Sequence, residues 1–250
     1  MVEGVGDYLG PYLLGPNDEN QGIYTGDARE LARAIPDESV DLIFTDPPYP
    51  KEFIPLYGWL AKEAARTLKD GRRCMALAGH VHLPTIIADM QQHLTWAWII
   101  AQIQGNLTSA IFPERVWASW KPCLVYRKGK IDGRANFAMD CFRDTAAALE
   151  YSKKFHTWGQ GAPFFAYYID RWTNPGDVIL DPFCGGGTLA AVCMALGRRW
   201  LAFEIDPDTA NDARRRVQMT QAPLFVPQEE QMTMELEPRM SGGKDRTCGG

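Results

Sequence analysis

Apolar and polar positions change period several times along the chain, and the changes mark its elements. A β-branched apolar run over 40–44 has the composition of a buried strand. A shorter run at 23–25 predicts another strand, followed by a helix over 28–34 with Asp27 at its N-cap. Apolar residues recur at helical spacing over 54–68, and Asp70-Gly71 reads as that helix's C-cap. A strand over 73–78, a helix over 83–93 and a strand over 94–103 continue the alternation. It resumes after residue 156 with a helix over 164–172, a turn at 174–177 and a strand over 178–180. A glycine-rich loop then opens a helix reaching residue 196, and a strand over 200–203 precedes a helix over 207–219. Strands alternating with helices predict βαβ units and an α/β fold: a mostly parallel central sheet with helices on both faces.

The period weakens over 105–156, where only 123–126 reads as a strand. Aromatic and basic residues crowd there instead. Residues 114–154 hold nine Lys and Arg against five Asp and Glu, a local +4 in a chain of net charge −5. That composition suits either a nucleic-acid-facing surface or a solvated loop over a small apolar cluster. Residues 1–22 are expected to form an irregular arm and 221–250 a disordered tail. The folded domain is then 23–220, with 105–155 as a small inserted segment.

Composition narrows the function classes. The 250 residues, 46% hydrophobic and 23% charged, suffice for one large α/β domain. A net charge of −5 argues against non-specific coating of nucleic acid, which depends on neutralising phosphates. The six cysteines form no C-x-x-C pair and have no histidine at zinc spacing, so no metal is expected and reduced thiols are the default. No basic-then-apolar leader pattern opens the chain, and the most apolar stretch, 94–103, is too short to span a bilayer. No membrane association is expected.

Two stretches carry candidate chemistry. Asp46-Pro47-Pro48-Tyr49 follows directly on the strand over 40–44. In an open α/β sheet ligands bind at the carboxyl ends of strands. Two prolines fix φ and lack N–H groups, so their carbonyls are free to accept. A carboxylate, a rigid backbone acceptor and an aromatic face can grip a planar base bearing an amino group. A plain proline turn with Asp46 as turn former explains the same four residues. The second stretch is Asp181-Pro182-Phe183-Cys184-Gly185-Gly186-Gly187-Thr188, between a strand and a helix, with Glu204 ending the next strand. Consecutive glycines let a backbone approach a ligand, and an acid about twenty residues on suits ribose hydroxyls. Together they point to a nucleoside-containing cofactor. No lysine follows the glycines, which argues against a triphosphate.

These residues resemble the DNA amino-methyltransferases that use S-adenosylmethionine. Asp46-Pro47-Pro48-Tyr49 looks like the family's catalytic tetrapeptide, 181–188 like its cofactor loop, and Phe203-Glu204-Ile205-Asp206 like the segment that holds the ribose. Weaker matches are Gly26-Asp27, Trp120-Lys121-Pro122 and 156–160. The tetrapeptide precedes the loop, with the basic aromatic segment between, as in the permuted β-class arrangement.

The resemblance implies a Rossmann-like methyltransferase fold and methyl transfer from S-adenosylmethionine to an exocyclic amine of a DNA base, adenine N6 before cytosine N4. An RNA base methyltransferase or an inactive nucleic-acid-binding module ranks below these. It implies that Asp46 and the Pro47 carbonyl accept from the amine and that Pro48 stiffens the turn. Tyr49 stacks on a base extruded from duplex DNA, with Trp120 and Lys121 on its other side. Asp27, Asp181, Phe183, Gly185, Gly187, Thr188 and Glu204 would hold the cofactor. The 105–155 segment is short for reading a long site, so a homodimer is a compatible arrangement. A bacterial or phage-infected cytoplasm is the implied setting.

Overall fold

The computed structural model describes residues 7–15, 22–103, 109–112, 114–131, 136–143 and 161–220. Strand β4 (Val40–Thr45) is buried at all six positions. A strand covered on both faces reads as a continuous apolar run rather than an alternation. Asp41 interrupts the run in sequence but not in space. Its carboxylate accepts from the Val178 N–H at 3.0 Å and pairs with Lys69 and Arg72 at 2.8 and 2.9 Å, so the buried charge is compensated.

Around β4 lie β3 (Ile23–Thr25), β5 (Leu68–Leu77), β6 (Thr95–Ile103), β9 (Lys121–Arg127), β10 (Cys141–Arg143), β11 (Val178–Asp181) and β12 (Arg199–Glu204). They form one eight-stranded sheet in the order β10-β6-β9-β5-β4-β11-β12-β3. Every neighbouring pair is parallel except the two that involve β9. Two hairpins stand beside the sheet, β1 (Asp7–Leu9) with β2 (Tyr12–Leu14) and β7 (Ser109–Ile111) with β8 (Val116–Ala118).

Helices cover both faces, as expected. On one face α1 (Ala28–Leu31), α2 (Pro55–Thr67) and α3 (Leu83–Met90) share a core with Ile43, Leu124 and Leu180. On the other, α4 (Ala162–Trp172), α5 (Thr188–Ala195) and α6 (Pro207–Met219) pack with Leu42, Phe44 and Ile179. Each fully buried Leu, Ile or Phe contributes about 1.5–3 kcal/mol. After β4 the chain crosses to the first face through α2, and after β11 to the second through α5. Adjacent strands that part to opposite faces leave a crevice beyond their carboxyl ends, between Thr45 and Asp181.

Three expectations change. Asp70 and Gly71 do not cap α2, because the chain turns from Thr67 straight into β5 at Leu68. Gly71 takes φ +76° and marks an irregularity in β5, whose pairing with β4 jumps from Leu68 to Arg73. The amino-terminal arm is not irregular over 7–15: the β1–β2 hairpin buries Leu9, Tyr12 and Leu14 in the first core. Nor does 105–155 stand apart from the sheet. β9 lies in its middle and β10 at its edge, so part of that segment belongs to the sheet. The tail at 221–250 and the match at 156–160 lie outside the described residues. No described helix is long and apolar enough to cross a membrane.

Candidate active site

The carboxyl ends of β4, β11, β12 and β3 lie side by side and carry Asp46, Asp181, Glu204 and Asp27 in that order. Because β9 runs the other way, its amino end reaches the same edge and delivers Trp120 and Lys121. Strand polarity thus explains how residues 75 positions apart meet: Lys121 Nζ stands 2.7 Å from Asp46 Oδ2. The Tyr49 hydroxyl donates to the other oxygen, Asp46 Oδ1. The Lys121 ammonium also lies over the Tyr49 ring, 4.7 Å from its centroid. Burial raises the Tyr49 phenol well above its usual value, and the Asp46 charge adds to this. The phenol therefore stays protonated and donates.

The turn after β4 separates two cavities. Asp46 and Pro48 line one of 540 Å³ together with Asp27, Phe183, Gly185 and Glu204. Tyr49 and Pro50 line the other, of 470 Å³, together with Tyr57, His80, Trp120 and Lys121. Pro47 is buried in the partition. Both volumes suit small-molecule sites.

The larger cavity has four carboxylates in its walls, Asp27, Asp46, Glu52 and Glu204, against the single guanidinium of Arg29. Phe53 and Phe183 add apolar surface. Such a lining suits a ligand with positive charge and an aromatic base. Glu204 is fixed at both oxygens, accepting from Gly185 N–H at 3.0 Å and Asp206 N–H at 2.9 Å. Gly185 takes φ +49°, and a Cβ there would point into open space, so a ligand can approach the backbone. Asp27 caps α1 through the Arg29 N–H at 2.8 Å and pairs with the Arg29 side chain at 2.6 Å. That hydrogen bond, first among the causes, holds the Asp27 carboxyl below its ordinary range.

Three residues expected at the cofactor stand behind the cavity instead. Gly187, at φ +74°, abuts α6, where a Cβ would come within 2.9 Å of Ala213 Cβ. Thr188 Oγ1 accepts from Arg216 Nη1 at 2.6 Å. Asp181 is 4% exposed; its Oδ1 accepts from Thr45 Oγ1 at 2.6 Å and Phe183 N–H at 3.2 Å. All three shape the loop from behind.

Burial pushes the Asp181 carboxyl up to about 7, against the two hydrogen bonds, with the Asp46 and Glu204 charges adding to the rise. An acid with a raised folded value keeps a proton that the unfolded chain has released. Stability therefore falls as pH rises from 3.8 to about 7 and levels off above. Asp181→Asn is expected to flatten that fall, measured by urea denaturation across the window; an unchanged slope would assign it to another group.

The basic residues of 114–154 do not form one surface. Lys121 stands at the site edge, but β9 and the residues after it carry Arg127, Lys128 and Lys130 to the opposite edge, where Lys128 pairs with Glu38 at 3.1 Å. Arg134, Lys153 and Lys154 lie outside the described residues. Sequence reasoning missed Thr45 and His80. His80 follows β5, lines the smaller cavity and packs edge-on against Trp120 at 4.9 Å. The rule that strand ends bear ligands, applied to β5 as to β4, would have found it.

Residues 152–215 match the DNA methylase profile of the N6-adenine and N4-cytosine methyltransferases. Over that stretch the chain is similar to this family. Among relatives, it is 25% identical over 235 residues to the type II methyltransferase M.BamHI of Bacillus amyloliquefaciens, covering 73% of this chain and 54% of that protein. It is 27% identical over 256 residues to the DNA adenine methyltransferase YhdJ of Escherichia coli K12, covering 80% and 83%. The chain thus spans about half of the first relative and most of the second. The M1.HpyAVI–SAM complex superposes with a TM-score of 0.61 at 23% identity, over 79% of this chain and 98% of that one. The cytosine-N4-specific PvuII DNA methyltransferase superposes with a TM-score of 0.62 at 19% identity, over 77% and 85%. At these identities the structural likeness is one of fold. Among the described residues no cluster could hold a metal ion.

Proposed function

We propose that this protein transfers a methyl group from S-adenosylmethionine to the N6 amine of an adenine extruded from duplex DNA. The observation that carries the reading is the partition: the turn from Asp46 to Tyr49 faces one cavity suited to a cationic nucleoside and another suited to a planar base. Asp at position 46 supports adenine, as does the likeness to a DNA adenine methyltransferase.

When bound, S-adenosylmethionine supplies an electrophilic methyl group on a sulfonium. Glu204 would hold the ribose hydroxyls; each of its oxygens already accepts one backbone N–H and has a lone pair left. Phe183 would cover the adenine, and Gly185 would admit the methionine part. In the smaller cavity the base would lie against Tyr49, with Trp120 and His80 around it. Asp46 and the Pro47 carbonyl would accept from the amine's two N–H groups. This favours a pyramidal nitrogen with its lone pair aimed through the partition. Positioning of the two reactants supplies much of the acceleration, and Asp46 is placed to receive the amine's proton once nitrogen has become cationic. No cysteine is required: burial raises the thiol of Cys184 in the loop, which keeps it protonated and inert.

The test is product identity. Wild-type protein is incubated with tritiated S-adenosylmethionine and unmethylated duplex DNA, single-stranded DNA or RNA, and the digested nucleosides are separated. Label in N6-methyladenine from duplex DNA is expected. Label confined to N4-methylcytosine would overturn the choice of base, and label confined to RNA the choice of substrate.

A further inference from the structure

The Lys121 ammonium stands where a target amine would stand. It is a nitrogen donor 2.7 Å from Asp46 Oδ2 and lies above the Tyr49 ring. A base stacked on Tyr49 with its amine on Asp46 needs the same space and the same acceptor. Base and ammonium therefore exclude one another, and any account of base binding must give the lysine a second place. The sheet provides one. Gln102 is the cross-strand partner of Lys121 in the antiparallel β6–β9 pair, and such partners share a face with Cβ atoms about 4.5–5.5 Å apart. Gln102 is 6% exposed, and its Oε1 is buried without a hydrogen-bond partner. A buried acceptor left unpaired is uncommon and costly, and here it lies across one strand pair from the long side chain of Lys121.

The geometry points to Lys121 as a gate with two seats, Asp46 when the acceptor cavity is empty and Gln102 Oε1 when a base occupies it. The inference rests on the proposed function and adds how the site chooses its occupant. An amine brings N–H donors that replace those of the lysine on Asp46. A base with a carbonyl oxygen at that position would set acceptor against acceptor, so it cannot displace the ammonium. Extruded thymine or guanine is thereby refused at the carboxylate itself. Lys121 is a positioning residue in this scheme, acting on the reaction through Asp46.

The test is a double-mutant cycle on the full chain, with unmethylated bacterial genomic DNA and tritiated S-adenosylmethionine, reading KM for DNA separately from kcat. Lys121→Met keeps the stem and removes the ammonium. If the open form is about one tenth of the free protein, KM falls about tenfold. Gln102→Leu removes the second seat and raises KM about tenfold when Lys121 is present, but leaves it unchanged in the Lys121→Met background. Gln102→Glu, which keeps an acceptor, lowers KM and guards against a leucine variant that fails to fold. Equal effects of Gln102→Leu in both backgrounds, or a raised KM in Gln102→Glu, would overturn the gate. A wild type that labels no DNA at all would remove the proposed function, and the gate with it. Wild-type turnover with additive effects would remove the gate alone.

Discussion

Asp46→Ala is expected to lower methyl transfer by about 10²–10³-fold, the usual cost of deleting a group that meets charge developing in the transition state, while S-adenosylmethionine still binds. The separation follows from where the carboxylate points. Both oxygens are engaged by donors of the acceptor cavity, Tyr49 at Oδ1 and Lys121 at Oδ2, although the residue also borders the cofactor side. Alanine removes the acceptor that orients the amine and leaves Glu204, Phe183 and Gly185 untouched. Turnover with labelled methyl donor and calorimetry with S-adenosylmethionine read the two halves independently. Undiminished turnover in the variant would refute the role of Asp46.

The opposite split is expected for Glu204→Ala. The carboxylate receives two backbone N–H groups, and its loss strands both donors along with the ribose hydroxyls they help to place. Hydrogen bonds to a charged group are worth about 1.5–3 kcal/mol, so the Kd for S-adenosylmethionine should rise roughly 10- to 150-fold. The variant should keep its DNA affinity, since Glu204 lines the larger cavity and not the one beside Tyr49 and Trp120. Glu204→Gln should fall between, because its amide oxygen can still accept from Gly185 while the NH₂ opposes the Asp206 N–H. Calorimetry that finds wild-type cofactor affinity in Glu204→Ala would remove the ribose assignment.

Much of this architecture was legible before the structure, for a physical reason. Strands buried on both faces leave unbroken apolar runs, as in β4, and helices on the faces leave a 3.6-residue period, as in α2 and α6. The strand-end rule then placed Asp46, Asp181 and Glu204 on one edge. What the sequence could not reveal depends on direction and depth. Nothing in the composition of β9 tells that it runs antiparallel, yet that polarity puts Lys121 on Asp46 and sends Arg127 and Lys128 away. Depth is equally silent. Asp181 and Glu204 look alike as acids ending strands, but Thr45 and Phe183 close over the first while the second faces the cavity. Gly71 misled because a glycine at positive φ serves a strand irregularity as readily as a helix end.

The polarity of β9 has a further consequence for how such a chain can be altered. β6 ends at Ile103 and β9 begins at Lys121, and the two strands are bonded to each other at that point, Gln102 opposite Lys121. Between them, the described β7–β8 hairpin stands outside the sheet. Material spliced in at that hairpin changes no strand order of the sheet, as with insertions at exposed loops generally. Whatever occupies that stretch also opens directly onto the acceptor cavity, through Ile111 and Ala118. A module exchanged at the β7–β8 hairpin would therefore reshape one wall of that cavity while the strand ends that carry Asp46, Asp181 and Glu204 kept their places.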